Sequence, residues 1–133
     1  MANFEISWSF AAFKKIGEGF LPTHNRILEE LQEVAAQANG WFFHAVEIET
    51  GWLRCDAQLD EGCWHVIVRE AKYVSSETRG DGEIPVQFPE PIDSADNHRF
   101  ATFDAIQTEL KKQERPSLLA AFLSKVGFPR SRE

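Results

Sequence analysis

Two histidines and two cysteines in the middle of this chain are the side chains best suited to chemistry. They are His44, Cys55, Cys63 and His65. Thiolate and imidazole are preferred ligands of zinc, so one alternative is a metal site built from all four. A second is a nucleophilic pair of Cys55 with His65 as its base, which Glu47 or Asp56 would orient. No CxxC or HxxxH spacing supports either alternative, so we favour core thiols and hydrogen-bonded histidines.

Other catalytic signatures are missing from the sequence. Gly17-Glu18-Gly19 resembles half of a phosphate loop, but the Lys-Ser/Thr ending that such loops need does not follow. Arg79-Gly80-Asp81 matches a short adhesion motif that recurs by chance. His24 and His98 lie near polar turns, where we expect surface residues. We therefore expect no catalytic residues, no bound metal and no cofactor, and a binding protein in preference to an enzyme.

Three runs rich in aromatic and β-branched residues position the central histidines and cysteines. They cover residues 41–49, 52–57 and 63–73, and such residues favour a pleated, half-buried sheet. Thr50-Gly51 and residues 60–62 interrupt the runs as hairpin turns do. The pattern predicts a three-stranded antiparallel meander.

The flanking segments predict one more strand at each end of the meander and three helices. Residues 4–10 alternate as a strand does, and residues 23–39 have helical periodicity with Thr23 as N-cap. Prolines make residues 84–91 an extended edge strand, and helices are predicted over 102–114 and 116–126. We therefore predict a single α+β domain over residues 1–133, with residues 129–133 as a frayed tail. Its antiparallel sheet of four to five strands would pack against one N-terminal and two C-terminal helices.

The predicted turns assign each residue of the meander to one face of the sheet. A two-residue turn pairs Ile48 with Leu53, and a three-residue turn pairs Ala57 with His65. One face would then carry Phe42, His44, Val46, Ile48, Leu53, Cys55, Cys63, His65 and Ile67. The other would carry Trp41, Phe43, Trp52, Arg54, Asp56, Trp64, Val66 and Val68. A change of one residue in the second turn would move the third strand to the opposite face.

The charge of the chain is concentrated in its middle. The net charge is −7, and residues 47–96 hold twelve acidic against four basic residues. Such a surface disfavours nucleic acid and anionic lipid and attracts basic partners. Carboxylates around tryptophans favour contact with an Arg- or Lys-rich protein through ion pairs and cation–π contacts. The predicted partner-binding residues are Trp41, Glu47, Glu49, Trp52, Asp56, Asp60, Glu61, Trp64 and Glu70.

The leading hypothesis is therefore a small acidic protein that occupies and neutralises a basic protein, such as a toxin or nuclease. In size, charge and lack of motifs the chain resembles toxin-neutralising immunity proteins and phage-encoded inhibitors, which implies a bacterial setting. The alternative is a small enzyme, or a ligand- or metal-binding pocket, that uses His44, Cys55 and His65. A homo-oligomer that pairs through exposed tryptophans or a free strand edge is a third possibility.

The sequence also bounds the compartment in which the protein works. No apolar stretch approaches the roughly 20 residues of a membrane helix, and the N-terminus lacks the features of a signal peptide. The geometry of a tight hairpin holds Cys55 and Cys63 beyond the ~7 Å reach of a disulfide. We expect a cytoplasmic protein with two unbridged thiols.

Overall fold

The computed structural model describes residues 2–72 and 89–113, which form one mixed sheet with helices on one side. The strands are β1 (Asn3–Ser9), β2 (Trp41–Ile48), β3 (Gly51–Asp60), β4 (Cys63–Ala71) and β5 (Phe100–Thr102). The α-helices are α1 (Phe10–Ile16), α2 (Phe20–Ala35) and α3 (Phe103–Gln113), and short 3-10 helices span Gly17–Gly19 and Ala95–His98. The predicted helix over 116–126 and residues 84–88 of the predicted edge strand lie outside the described residues. The α+β class is confirmed.

The strand order is β2-β3-β4-β1-β5, and the prediction of a wholly antiparallel sheet is wrong at one pair. The meander β2-β3-β4 is antiparallel as predicted, but β1 pairs with β4 in parallel. The cause is the connection through α1 and α2, which returns the chain so that β2 runs in the direction of β1. Two hairpins later β4 has that direction again, and β1 lies beside it.

The fifth strand comes from a segment in which the sequence analysis placed no strand. β5 is three residues long and pairs antiparallel with the end of β1. Three residues are too few to show the alternation by which a strand is recognised. Asn97 holds the preceding segment in place. Its Nδ2 donates to the carbonyls of Glu70 and Ile92, and its Oδ1 accepts from the Ser9 hydroxyl at 2.7 Å.

Helix α2 confirms the predicted helical periodicity but corrects both ends, since the helix stops at Ala35, four residues before the predicted end at residue 39. It begins at Phe20, three residues before the predicted N-cap Thr23. Ile27 and Leu31, one turn apart, are fully buried. The predicted start of the helix over 102–114 is confirmed, since α3 begins at Phe103 and the Thr102 hydroxyl accepts a hydrogen bond from the Ala105 amide at 3.2 Å. None of the helices in the described part of the chain combines the length and apolar character needed to cross a membrane.

Both hairpin turns differ from the prediction, with unequal consequences. In the first, Ile48 pairs with Gly51 instead of Leu53, a shift of two residues that leaves every side chain on its predicted face. In the second, Asp60 pairs with Cys63 across a two-residue turn. Glu61 and Gly62 both have positive φ there, 52° and 81°, as a type I′ turn requires. This one-residue change exchanges the faces of β4.

Candidate binding face

The two faces of the sheet have different surroundings. The core, with α1, α2 and α3, lies on the helix-covered face, to which the strands contribute Ile6, Trp8, Phe42, Val46, Leu53, Cys55, Ala57, Trp64, Val66 and Val68. The alternate positions form what we call the open face: Glu5, Ser7, Trp41, Phe43, Ala45, Glu47, Trp52, Arg54, Asp56, Gln58, Cys63, His65, Ile67 and Arg69. No helix within residues 2–72 and 89–113 packs on the open face.

A shallow groove crosses the open face near the first residues of β2 and β4. Its volume is about 470 Å³, and its lining includes Trp41 and Phe43 on one side and Glu5 on the other. Gln58 and His65 lie between them. This volume falls in the range of ligand sites, and the groove is partly open to solvent.

Two aromatic side chains form one wall of the groove. Trp41 is 58% exposed and Phe43 is 38% exposed. Their rings meet edge to face with centroids 5.3 Å apart. The guanidinium of Arg54 lies 4.1 Å from the Phe43 ring centroid, a cation–π contact within the chain. Phe43 thus has a cation already, and the larger ring of Trp41 projects beyond it.

The two arginines of the open face are held by one carboxylate. Arg54 Nε donates to Asp56 Oδ1 at 2.8 Å, and Arg69 Nη2 donates a short hydrogen bond to Asp56 Oδ2. All three side chains are largely shielded from water. Asp56 was predicted to bind a partner, but the structure engages its carboxylate inside the chain.

The other predicted acidic residues do not form a single patch. Glu47 and Glu49 lie at one end of the hairpin β2-β3, and Asp60 and Glu61 lie at the opposite end of β3. At about 3.3 Å per residue, the length of β3 separates the two groups by roughly 30 Å. Within the described part of the chain none of the four has an ion-pair partner. Glu70 instead pairs with Lys15 of α1 at 2.9 Å.

The three predicted tryptophans are divided between the faces. Trp41 and Trp52 lie on the open face. The predicted placement of Trp64 beside them is wrong, since the exchange of faces in β4 puts it in the core with 5% exposure. There its ring packs 5.0 Å from that of Phe42. Val66 and Val68 move to the core with Trp64 for the same reason.

The sheet also separates the four residues proposed as a metal or nucleophilic cluster. His44 and Cys55 lie on the helix-covered face, whereas Cys63 and His65 lie on the open face. Burial, then the negative charges of Asp56 and Glu30, raise the pKa of the Cys55 thiol, so Cys55 is unsuited to act as a nucleophile. His44 Nε2 lies 2.6 Å from Glu30 Oε1. Both cysteines are free thiols, which confirms that prediction.

His24 was expected at the surface and is buried with 4% exposure. Its ring stacks on Phe103 with centroids 3.6 Å apart, and its Nδ1 accepts the indole N–H of Trp8 at 3.2 Å. Burial lowers the pKa of His24 to about 4. Because α2 begins before Thr23, position 24 falls on the inner stripe of the helix and not in a turn.

One cluster on the open face was missed in the sequence because it depends on the parallel pairing of β1 and β4. Glu5 lies directly opposite His65 in that pairing, and Cys63 is two residues before His65 on the same face. One ligand atom from each of the three side chains lies within 4.8 Å of the other two. Glu5 Oε1 and His65 Nδ1 are 3.1 Å apart. Nothing in the sequence near Glu5 signals this neighbourhood.

Comparison with known proteins identifies no relative, since no family model, no curated protein and no solved structure matches the chain.

Proposed function

We propose that this protein binds a basic protein partner through its open face, with the Trp41–Phe43 pair at the centre of the contact. The observation that carries the proposal is that the open face keeps Trp41 58% exposed and Phe43 38% exposed beside a groove. Tryptophan is enriched among the residues that dominate binding energy at protein interfaces. Ile67, 40% exposed, extends the apolar surface along the groove.

The charges of the open face favour a basic partner over an acidic one. Arg54 and Arg69 are engaged by Asp56 and offer little attraction to an anion. The exposed carboxylates of Asp60 and Glu61 lie at the groove end of β3 and have no ion-pair partner among the residues described. A lysine or arginine from a partner would meet these carboxylates next to an aromatic wall.

The Arg54–Phe43 contact supports a cation–π contact as the interaction that a partner would make. A guanidinium already lies over the Phe43 ring inside the chain. Of the three aromatic residue types, tryptophan attracts a cation most strongly, and Trp41 is more exposed to solvent than Phe43. We therefore propose that an arginine or lysine of the partner occupies the groove against Trp41, with Asp60 and Glu61 as its counter-charges.

We further propose that binding of this protein to the basic surface of its partner blocks the activity of the partner, as toxin-neutralising immunity proteins and inhibitors do. A partner that acts on nucleic acid has a basic surface, and an acidic protein on that surface would compete with phosphate. Glu47 and Glu49 at the far end of β2 would extend the contact. The observable consequence is that a partner activity is lost when one chain is added per partner molecule.

The test is a photo-crosslinking amino acid placed at Gln58, which is exposed in the groove, and compared with the same group at Leu21. Leu21 is 39% exposed on α2, on the other side of the sheet, and is the matched control. In cells of the source organism, we expect Gln58 to capture a protein rich in Lys and Arg, and Leu21 not to capture it. The captured protein is then purified and its dissociation constant is measured.

With the purified partner, Trp41→Ala should weaken binding by roughly 30-fold, the effect of a central interface tryptophan. Asp60→Lys should weaken it further at low salt, whereas Leu21→Ala and Glu29→Lys on α2 should leave it within about twofold. Capture of an acidic protein, of nucleic acid or of residues 114–133 of the same chain by Gln58 would overturn the proposal. Equal capture from Leu21 would do the same.

A further inference from the structure

We propose that Glu5, Cys63 and His65 form a zinc-binding site at the wall of the groove opposite Trp41. Their carboxylate, thiol and imidazole groups are three ligand types that zinc accepts in proteins. The three ligand atoms all lie within 4.8 Å of one another. This inference does not depend on the proposed function.

The backbone places the three side chains without any special loop. Cys63 and His65 are two residues apart on β4, so the alternation of a strand puts both on the open face. Glu5 is the Cα partner of His65 on the neighbouring strand β1, about 4.8 Å away in a sheet. Because regular strands carry all three ligands, their spacing is maintained by the hydrogen bonds of the sheet.

The distances are close to those that one zinc ion requires. Zn–N and Zn–O bonds of about 2.0–2.2 Å and Zn–S bonds of about 2.3 Å place tetrahedral ligand atoms roughly 3.3–3.7 Å apart. Glu5 Oε1 and His65 Nδ1 are 3.1 Å apart. Cys63 Sγ makes only a long hydrogen bond, 3.8 Å, to the carbonyl of Trp64. Cys63 Sγ lies within 4.8 Å of the other two ligand atoms, so a movement of about 1–1.5 Å is enough to complete the three-ligand set.

The donor set selects zinc over the common hard cations. Mg²⁺ and Ca²⁺ take oxygen ligands, whereas a thiolate and an imidazole suit zinc. The carboxylate and the thiolate together carry two negative charges, which one Zn²⁺ ion neutralises. The side chains of Glu5 and His65 are 55% and 48% exposed, so an ion can reach them from solvent.

Three protein ligands leave a fourth position for water or for an exchangeable donor. Glu5 and His65 line the groove, so that position opens into it. Gln58 is the Cα partner of His65, and Asp60 is the Cα partner of Cys63, on the other neighbouring strand. The carboxylate of Asp60 adds negative charge beside the site and favours the bound cation.

The experiment is metal titration of the full chain, without an affinity tag, using Zn²⁺ and the spectroscopic probe Co²⁺. We expect one equivalent of metal per chain, a thiolate-to-cobalt charge-transfer band and the intense visible bands of a tetrahedral site. Cys63→Ser should abolish the charge-transfer band and weaken zinc binding by more than about tenfold. Glu5→Gln should weaken binding while keeping the band, which separates loss of a ligand from loss of the fold.

The control is His98→Gln. His98 and Asp93 form a second exposed histidine–carboxylate pair, 3.3 Å apart, so this variant removes a similar pair far from the thiol. Zinc binding should be unchanged in it. A chain that takes up no stoichiometric metal would overturn the proposal, as would a charge-transfer band that persists in Cys63→Ser. Equal weakening by His98→Gln would also overturn it.

Discussion

The two faces of the sheet carry the same residue types in opposite environments. On the helix-covered face, Trp64 and Cys55 are buried among apolar side chains and contribute packing. On the open face, Trp41 and Cys63 occupy comparable strand positions and remain accessible. The difference teaches that residue type alone does not assign a tryptophan or a cysteine to a binding site. The cover supplied by α1, α2 and α3 decides it.

The ionisable groups show the same division. His24, beneath α2 and against Phe103, is shielded, and its pKa is lowered. His65, on the open face, is exposed and lies 3.1 Å from Glu5. Asp56 lies between these extremes, because its two arginines shield a carboxylate on a face that is otherwise exposed.

The sharpest test of the comparison is the same substitution on each face. Trp64→Ala should lower the free energy of unfolding by about 3–5 kcal/mol, because a large core side chain is lost and a cavity remains. Trp41→Ala should lower it by less than about 1 kcal/mol, as expected for an exposed side chain. Urea unfolding of both variants measures the difference. Equal losses would show that the two faces are not distinct.

The next effect concerns the histidine of the helix-covered face. The pKa of His24 is about 4 in the fold and about 6.5 in an unfolded chain. Above pH 6.5 both states are neutral. As the pH falls from 6.5 towards 4, only the unfolded chain takes up the proton, so folding stability should fall by roughly 3 kcal/mol.

Comparison of the wild-type protein with His24→Gln isolates the contribution of His24 to the pH dependence of stability. The glutamine amide oxygen can still accept the Trp8 indole N–H, and the carboxylates titrate equally in both proteins. Unfolding free energies of the two proteins, measured between pH 7 and 4, should diverge in slope. Parallel curves would contradict the lowered pKa.

A smaller effect is expected from the ion-pair network of the open face. Asp56→Asn removes the charge that holds Arg54 and Arg69 together and should destabilise the fold by about 2 kcal/mol. Glu47→Gln on the same face removes a carboxylate that has no ion-pair partner in the described residues, and should change stability by less than about 0.5 kcal/mol. Thermal unfolding of the pair measures the difference, and equal shifts would argue that the network contributes nothing.

The smallest predicted effect comes from a substitution in the β3–β4 turn, which sets the face of the sheet on which each side chain of β4 lies. Glu61 has a φ of 52°, which costs a side chain such as glutamate more than it costs asparagine. Glu61→Asn should therefore raise the free energy of unfolding by about 0.5–1 kcal/mol. Nuclear Overhauser contacts between Asp60 and Cys63 would show that the pairing is kept. Destabilisation by Glu61→Asn would contradict the type I′ turn.

Much of the fold could be predicted because its signals are local. The helical periodicity of residues 23–39 predicted α2, and the alternation of residues 41–49 and 52–57 put Trp41 and Phe43 together on one face of the sheet. The first turn was predicted two residues too late, yet the faces were kept because side chains alternate with a period of two. The second turn was missed by one residue because glutamate is an uncommon residue at positive φ, and that error placed Trp64 on the wrong face.

The sequence by itself determined the strands of the meander and the helices α2 and α3, since periodicity and turn residues act over a few neighbours. It also determined the acidic balance and the presence of aromatic residues for an exposed face. Only the tertiary structure decided that β1 runs parallel to β4, and therefore that Glu5 meets Cys63 and His65. The physical reason is that this contact joins residues about sixty positions apart in the chain through a long crossover connection, and no local preference encodes which strand edge such a connection will reach.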